Sequence, residues 1–405
     1  SGHEIALDDS ASGQQLSIKT KGGLTLTMDD KQSSIRMQGG GRILAMQGGQ
    51  VVYEKAFGWA DREAGRRMTT DAIFRIASQT KALTSAAIMQ LVEEGALALN
   101  TRAGTFIPSF ARTTVAVASE RGTVTQVPAR RPITIRDLLT HTAGISYGTD
   151  PSVAGLYEAR GLGPAAGFGW YTADKNEPVC DTMERLGTLP FVAQPGDAWV
   201  YGYNTDVLGC IVEKASGMPL DAYLRDRITT PLGMKDTQFF LPPAQKDRLA
   251  TVYGSGPDGK YTRAPEGARG QGAYVEGPRR NFAGGAGLLS TARDYARFLE
   301  AMRKGGTLDG VRLLSPLSVK LMSTNQVGTL HSATGLGFGL GFETVDRFGA
   351  NTMSHEGAFG WGGAYGSIYR VDPEARLVMV LMIQMIPNGT DIREVFPSLV
   401  YQALR

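Results

Sequence analysis

Phe74-Arg75-Ile76-Ala77-Ser78-Gln79-Thr80-Lys81 runs unbroken into the apolar, alanine-rich stretch Ala82-Leu83-Thr84-Ser85-Ala86-Ala87-Ile88-Met89-Gln90-Leu91. Phe74 to Ala77 leads into a helix predicted from about Ser78 to Glu94, and Gly95 sits where a C-terminal cap belongs. Residues three apart on a helix share a face about one turn from each other, so Lys81 stands beside Ser78. A serine hydroxyl is a poor nucleophile until something takes its proton, and an amine held next to it can do so. S-x-x-K is a short pattern, so the reading turns on whether the rest of the chain completes such a site.

Working outward, Ile43 to Gln47, the pair Gly48-Gly49, and Gln50 to Phe57 read as two strands joined by a tight turn. Near the other end, Tyr365 to Val371 and Leu377 to Gln384 form a second hairpin across Asp372-Pro373-Glu374. Leu336 to Phe342 alternates glycine with leucine and phenylalanine, and helices are expected over Ser290 to Arg303 and Ile392 to Leu404. Strands at both ends with helices between imply an α/β (α+β) fold: one sheet assembled from both termini, with a helical lobe inserted. The expected division is an α/β domain of 39–95 and 280–405, and a mainly helical, loop-rich lobe of 96–279. Within that lobe Ile135 to His141 and Thr205 to Ala215 read as helices. Residues 1–38 are polar and read as an N-terminal extension whose early part is expected to be loose. No internal repeat or low-complexity segment interrupts this pattern.

Composition narrows the functional classes. The 405 residues are 42% hydrophobic and 20% charged, enough for a large core and unlike a disordered chain. The formal net charge is only +3 and no basic tract is interleaved with aromatics, which argues against a nucleic-acid partner. The most hydrophobic run, Leu377 to Ile383, falls well short of the roughly 20 residues of a membrane helix and reads as a buried strand. Cys180 and Cys210 are expected as buried thiols rather than a disulfide. Four scattered histidines, with no H-x-x-x-H or C-x-x-C spacing, predict no metal or other cofactor. The chain opens Ser1-Gly2-His3-Glu4 with no signal-peptide pattern, which leaves its compartment open between cytoplasm and periplasm or exterior. Asn388-Gly389-Thr390 matches a glycosylation sequon but reads more simply as a turn.

A second serine competes for the nucleophile's role. Gly144-Ile145-Ser146-Tyr147-Gly148 matches the G-x-S-x-G elbow, with His331 and His355 downstream as formal triad partners. That motif needs a buried strand before it and a helix after it. Here it follows the helical Leu138-Leu139-Thr140-His141 and enters the loop Thr149-Asp150-Pro151, so Ser146 is expected to be a loop residue packed near the site. Tyr201, at the head of an apolar helix in Ala198-Trp199-Val200-Tyr201-Gly202-Tyr203-Asn204, can shuttle a proton if it faces the lysine. The glycine cluster Gly357-Ala358-Phe359-Gly360-Trp361-Gly362-Gly363-Ala364 lets a substrate carbonyl approach the main chain. A backbone N–H there, with that of Ser78, could form an oxyanion hole.

These elements, in this order, resemble the serine β-lactamase-like superfamily of class C β-lactamases, DD-peptidases and family VIII carboxylesterases. The resemblance runs from about Gly41 to the C-terminus. It includes Ala56-Phe57-Gly58-Trp59-Ala60-Asp61, Leu138-Leu139-Thr140-His141-Thr142-Ala143-Gly144 and Gly284-Gly285-Ala286-Gly287-Leu288. It implies an antiparallel sheet flanked by helices plus an all-helical lobe. It also implies Ser78 as the acylated nucleophile, with Lys81 and Tyr201 as its proton-transfer partners.

Two departures tilt the expected chemistry. The peptidase and β-lactamase second motif, Tyr-x-Asn, has Tyr203 in its asparagine position, with Asn204 one place late. The third motif, Lys-Thr-Gly, is absent; Trp361-Gly362-Gly363 or His355-Glu356-Gly357 stands in that region. Trp-Gly-Gly resembles the family VIII esterases, in which the residue after the second glycine, here Ala364, supplies the second oxyanion N–H. A lysine there would pair with a substrate carboxylate, whereas a tryptophan offers an apolar stacking wall suited to an uncharged ester. The expectation is a serine carboxylesterase acting on short-chain or aryl esters, with weak β-lactam hydrolysis as a side activity. Trp361, Gly362, Gly363, His355 and Tyr203 are the substrate-binding candidates. The alternatives are a β-lactamase, an amidase, peptidase or acyltransferase using the same serine, or a non-catalytic penicillin-binding protein. The oligomeric state is not legible.

Overall fold

The computed structural model describes residues 4–404 except 9–14, 20–23, 30–32, 38–39, 119–123, 165–173, 256–260 and 269. Its centre is a seven-stranded antiparallel sheet. In spatial order the strands are Leu336–Phe338, Glu343–Val345, Phe359–Gly362, Ile368–Asp372, Leu377–Ile383, Gly41–Gln47 and Gln50–Phe57. The strand from near the C-terminus pairs directly with the one from near the N-terminus, Leu381 opposite Ile43, so the sheet closes from both ends of the chain. Gly48 and Gly49 both take positive φ (60° and 89°), which the tight turn between the last two strands demands and glycine supplies without steric cost.

Every residue of Leu377–Ile383 is buried, and side-chain alternation sends the strand into two cores. Val378, Val380 and Met382 join the large cluster that also contains Leu83, Ile88 and Leu299 from the helices Thr80–Glu93 and Ala292–Arg303. Leu377, Met379, Leu381 and Ile383 face the other way, onto Ile392 and Phe396 of the helix Ile392–Gln402. A strand covered on both faces is apolar throughout rather than alternating, which is why this run reads as continuous hydrophobicity. Each such side chain contributes about 1.5–3 kcal/mol by burial.

The inserted segment packs its helix Asn204–Ser216 against Thr80–Glu93 and carries a small sheet of Thr114–Ala118, Val124–Pro128 and Pro190–Phe191. Cys180, on the helix Val179–Gly187, is disulfide-bonded to Cys210 on Asn204–Ser216, with Cα atoms 5.0 Å apart. The expectation of two free thiols is therefore corrected. A spacing of thirty residues does not reveal that the two helices face each other, and that contact alone makes the bridge geometrically feasible.

The described part of the N-terminal extension is strand, unlike the looseness expected of its early part. Glu4–Asp8, Gln15–Lys19, Leu24–Asp29 and Ser33–Met37 form an antiparallel four-stranded sheet in sequence order. The signal was the period and not the polarity: Leu16 and Ile18, then Leu24, Leu26 and Met28, recur at every second position. No described helix is long and apolar enough to cross a membrane.

Candidate active site

Ser78 is set in place from both sides of its own chain. Phe74–Arg75 pairs with Leu289–Ser290, and Ile76 N–H donates to Leu288 O at 3.1 Å. A single 3-10 turn, Ala77–Gln79, then opens into the helix Thr80–Glu93. Ala77 has φ +45°, a left-handed conformation costing about 1–2 kcal/mol for a residue with a Cβ. Such outliers persist only where surrounding contacts over-determine them, and they cluster at functional sites. The strained residue here directly precedes the serine, which is 8% exposed.

Lys81 is 2% exposed and all three of its N–H groups are directed. Nζ lies 3.4 Å from Ser78 Oγ, 2.9 Å from Tyr147 Oη and 2.8 Å from Gly285 O. The serine contact is the longest of the three. The same nitrogen also lies 4.7 Å from the ring centroid of Tyr201.

Tyr147 is the partner that the sequence reading passed over. Burial first, then the neighbouring Tyr201, Asp206 and Tyr203, push its phenol well above the usual value, so it keeps its proton. Its oxygen accepts from Lys81, and it is hydrogen-bonded to Tyr201. Trp361 Nε1–H donates to the same Tyr201 oxygen at 3.1 Å. Tyr201 Oη thus accepts from Trp361 and is joined to Tyr147. Its ring is stacked on Trp199 (centroids 5.7 Å, planes at 14°) and tilted against His141 at 4.9 Å and Trp361 at 5.4 Å. Phe338 and His331 extend this wall, 5.4 and 6.3 Å from Trp361.

Behind the first contacts lies a polar layer. Asp206 Oδ1 accepts the Gly285 N–H at 3.0 Å, while the carbonyl of the same glycine holds Lys81. Burial raises the Asp206 carboxyl to about 6, opposed by the charge of Lys81 and the Gly285 N–H. His141 is wholly buried, which, with the charges of Lys81 and His331, holds it well below its usual value and neutral. Asn204 Nδ2 donates to His141 Nδ1 at 3.0 Å, and also reaches Ile145 O and Val200 O at 3.2 Å. Asn204 therefore braces the loops that present Tyr147 and Tyr201 and does not face the serine.

Of the third region, the structure brings Trp361, Gly362 and Gly363 to the serine turn. A Cβ on Gly363 would sit 2.7 Å from Ile76 O, so only glycine permits this approach. Gly363 O accepts the Gly366 N–H at 3.0 Å in a turn over Ala364, whose own N–H finds no acceptor among the described residues. Tyr203 and His355 are placed elsewhere. Tyr203 is 2% exposed, backs the ring of Tyr147 at 4.8 Å and accepts the Gly163 N–H. His355 lies at the far end of the Trp361 strand, its Nδ1 2.9 Å from Asp372 and its ring near Tyr401. Ser146 is buried in a loop, its Oγ accepting the Gly148 N–H at 3.1 Å, with no strand before it. Among the described residues, no three His, Cys, Asp or Glu side chains gather where they could hold a metal ion.

With this geometry in hand, comparison with known proteins is direct. The family model described as Beta-lactamase matches residues 34–393. The chain belongs to the β-lactamase family. Protein Rv1367c of Mycobacterium tuberculosis is 35% identical over 387 residues, covering 90% of this chain and 91% of the relative. Esterase EstB of Burkholderia gladioli is 33% identical over 383 residues, with the same coverage. Among solved structures, EstCE1, described as a hydrolase with promiscuous acyltransferase activity, superposes with a TM-score of 0.72 at 28% identity, covering 88% of this chain and 91% of that one. The antiparallel sheet with its flanking helices is the β-lactamase/transpeptidase-like fold, and the protein is a β-lactamase-fold hydrolase close to the family VIII esterases.

Tyr147 and Asp206 went unread for different reasons. Tyr147 lies inside Gly144-Ile145-Ser146-Tyr147-Gly148, where attention fell on the serine one place earlier. Asp206 sits in the first turn of an apolar helix, where an acid ordinarily serves the helix dipole. Only the approach of Gly285 reveals its other role.

Proposed function

We propose that the protein is a serine carboxylesterase that hydrolyses short-chain or aryl esters through an acyl-Ser78 intermediate. Ser78 Oγ attacks the ester carbonyl carbon while its proton passes to the Lys81–Tyr201 pair, in which either Lys81 as neutral amine or Tyr201 as phenolate is the acceptor. The N–H groups of Ser78 and Ala364 receive the oxyanion of the tetrahedral intermediate. Collapse breaks the bond to the alkoxide, which leaves as the alcohol with the proton held by the pair. Water then gives a proton to the same pair, attacks the acyl carbon and releases the acid, and Ser78 regains its hydrogen. Tyr147 keeps its proton throughout and fixes Lys81 and Tyr201 relative to each other.

The observation that carries this reading is Trp361. Where a lysine would meet a substrate carboxylate, an indole stands with its N–H turned to Tyr201 and its ring continuous with Trp199 and Phe338. Such a wall favours uncharged, flat or apolar groups over a carboxylate-bearing β-lactam or peptide.

Turnover of 4-nitrophenyl and 1-naphthyl esters, nitrocefin and a D-alanyl amide tests it. Ester turnover should exceed the others. Ser78→Ala should lose at least about 10³-fold in kcat/KM, and Ser146→Ala should retain activity. An alkylphosphonate should label Ser78 stoichiometrically. Full activity in Ser78→Ala, or turnover of amides alone, would overturn the proposal. EstCE1, as described, supports one second reading, transfer of the acyl group from Ser78 to an added alcohol instead of water. Product analysis with an alcohol acceptor present measures that partition.

A further inference from the structure

Away from Ser78 lies a cavity of about 500 Å³ that the reaction above does not use. It is formed by the end of the helix Leu220–Leu224, the turn that follows it, the segment 233–240, and Arg279, Phe282 and Leu288. Its volume is within the range of small-molecule sites, roughly 300–1,000 Å³. The floor is apolar: Leu224, Met234, Phe239 and Leu288 are each under 5% exposed, and the half-buried Phe282 packs edge-on to Phe239 at 5.3 Å.

The mouth is cationic. Arg225, Lys235 and Arg279 line it against the single carboxylate of Asp221. Arg225 is bound by Asp226 at 2.8 Å, but neither Lys235 nor Arg279 has an acidic partner among the described residues. Arg279 is nevertheless fixed: Nη2 donates to Leu241 O at 2.5 Å and Val275 O at 2.9 Å, and the guanidinium lies 5.9 Å from the Phe240 ring centroid. A cation held by carbonyls over an aromatic floor is organised before any ligand arrives.

The backbone adds an independent sign. Arg225–Thr229 is π-helical, closed by the Thr230 N–H donating to Arg225 O at 2.8 Å. π-turns are rare and concentrate at functional sites. This one supplies Arg225 and Thr229 to the cavity wall, and its C-cap supplies Thr230.

We propose that this cavity is a second ligand site, specific for an amphiphilic carboxylate whose apolar body lies on Phe239 and Phe282 and whose anion meets Arg279 and Lys235. It is distinct from the acyl site. The segment Gly284–Leu288 lies between them, with Phe239 packed against Gly287 on one side and Lys81 bound to Gly285 O on the other. The acid released by the ester hydrolysis proposed above belongs to the same chemical class, but the cavity's chemistry stands without that reading.

Isothermal titration of the full chain with octanoate, octanol and octylammonium tests it. Octanoate should bind at one site per chain, and at least tenfold more tightly than either comparison compound. The double variant Lys235→Glu/Arg279→Glu should weaken octanoate at least tenfold while remaining folded by circular dichroism and keeping the wild-type ester turnover. Ser78→Ala should bind octanoate as the wild type does, so loss of the esterase reading leaves this result intact. Equal binding of the three compounds, or undiminished octanoate binding in the double variant, would overturn the site.

Discussion

Three side chains divide the work around one phenol oxygen. Tyr201 Oη accepts from Trp361 and is hydrogen-bonded to Tyr147, while Tyr147 accepts from Lys81. If Tyr201 carries the proton, Tyr201→Phe should lower kcat by about 10²–10⁴-fold, the usual worth of a positioned acid–base group. Tyr147→Phe keeps the ring but removes the lysine's acceptor; about a tenfold to hundredfold fall in kcat with little change in KM is expected. Steady-state kinetics of the pair separates the roles, and equal losses would contradict the assignment. Asp206 makes a prediction about stability. Its folded carboxyl titrates near 6 and its unfolded one near 3.9, so the native state holds a proton that the unfolded chain releases between those values. The contribution is fully present below about pH 4 and is lost as pH rises through about 6, a swing of roughly 3 kcal/mol. Asp206→Asn keeps an acceptor for the Gly285 N–H and should abolish that slope, matching the wild type near pH 4 and exceeding it near pH 8. Denaturant titrations across that range read the difference directly.

Between residues and the whole, elements are held by means of unequal visibility. The Cys180–Cys210 bridge closes a thirty-residue loop and pins Val179–Gly187 onto Asn204–Ser216, the helix that follows Tyr201. Replacing both cysteines by serine should lower stability by about 2–4 kcal/mol and leave kcat of the folded protein nearly unchanged. In the sheet, Leu381→Ala removes a fully buried side chain between two covered faces and should cost about 2–5 kcal/mol by thermal denaturation. The sheet's hairpins and the helix after Ser78 were legible because period and turn chemistry are local properties. So was the pairing of Ser78 with Lys81, which one turn of helix dictates. The bridge, the second tyrosine and the acid behind Gly285 were not, because each depends on which distant segments meet. His355 misled for the converse reason: its place beside the third motif is close in sequence, yet the strand carries it to Asp372. The N-terminal strands were obscured by polar composition laid over a period of two.

Across the whole molecule, no single stretch owns the site. Ser78 and Lys81 come from the first quarter, Tyr147 and Tyr201 from the inserted segment, Gly285 from the return to the sheet, and Trp361 from a strand that needs Ile368–Asp372 and Leu377–Ile383 beside it. Trp199 and Trp361, in the wall beside Tyr201, make intrinsic fluorescence a reporter of this assembly. On refolding from denaturant, ester turnover should return no faster than the slowest fluorescence phase, and an earlier return would contradict the shared assembly. The Gly285 peptide gives this dependence a further meaning, since its N–H answers to Asp206 and its carbonyl to Lys81. A ribosome has exposed the serine long before it makes that glycine, and longer still before it makes the indole. Nascent chains and proteolytic fragments that stop short of Gly285 or Trp361 thus carry Ser78 and Lys81 without the groups that surround them in the folded site.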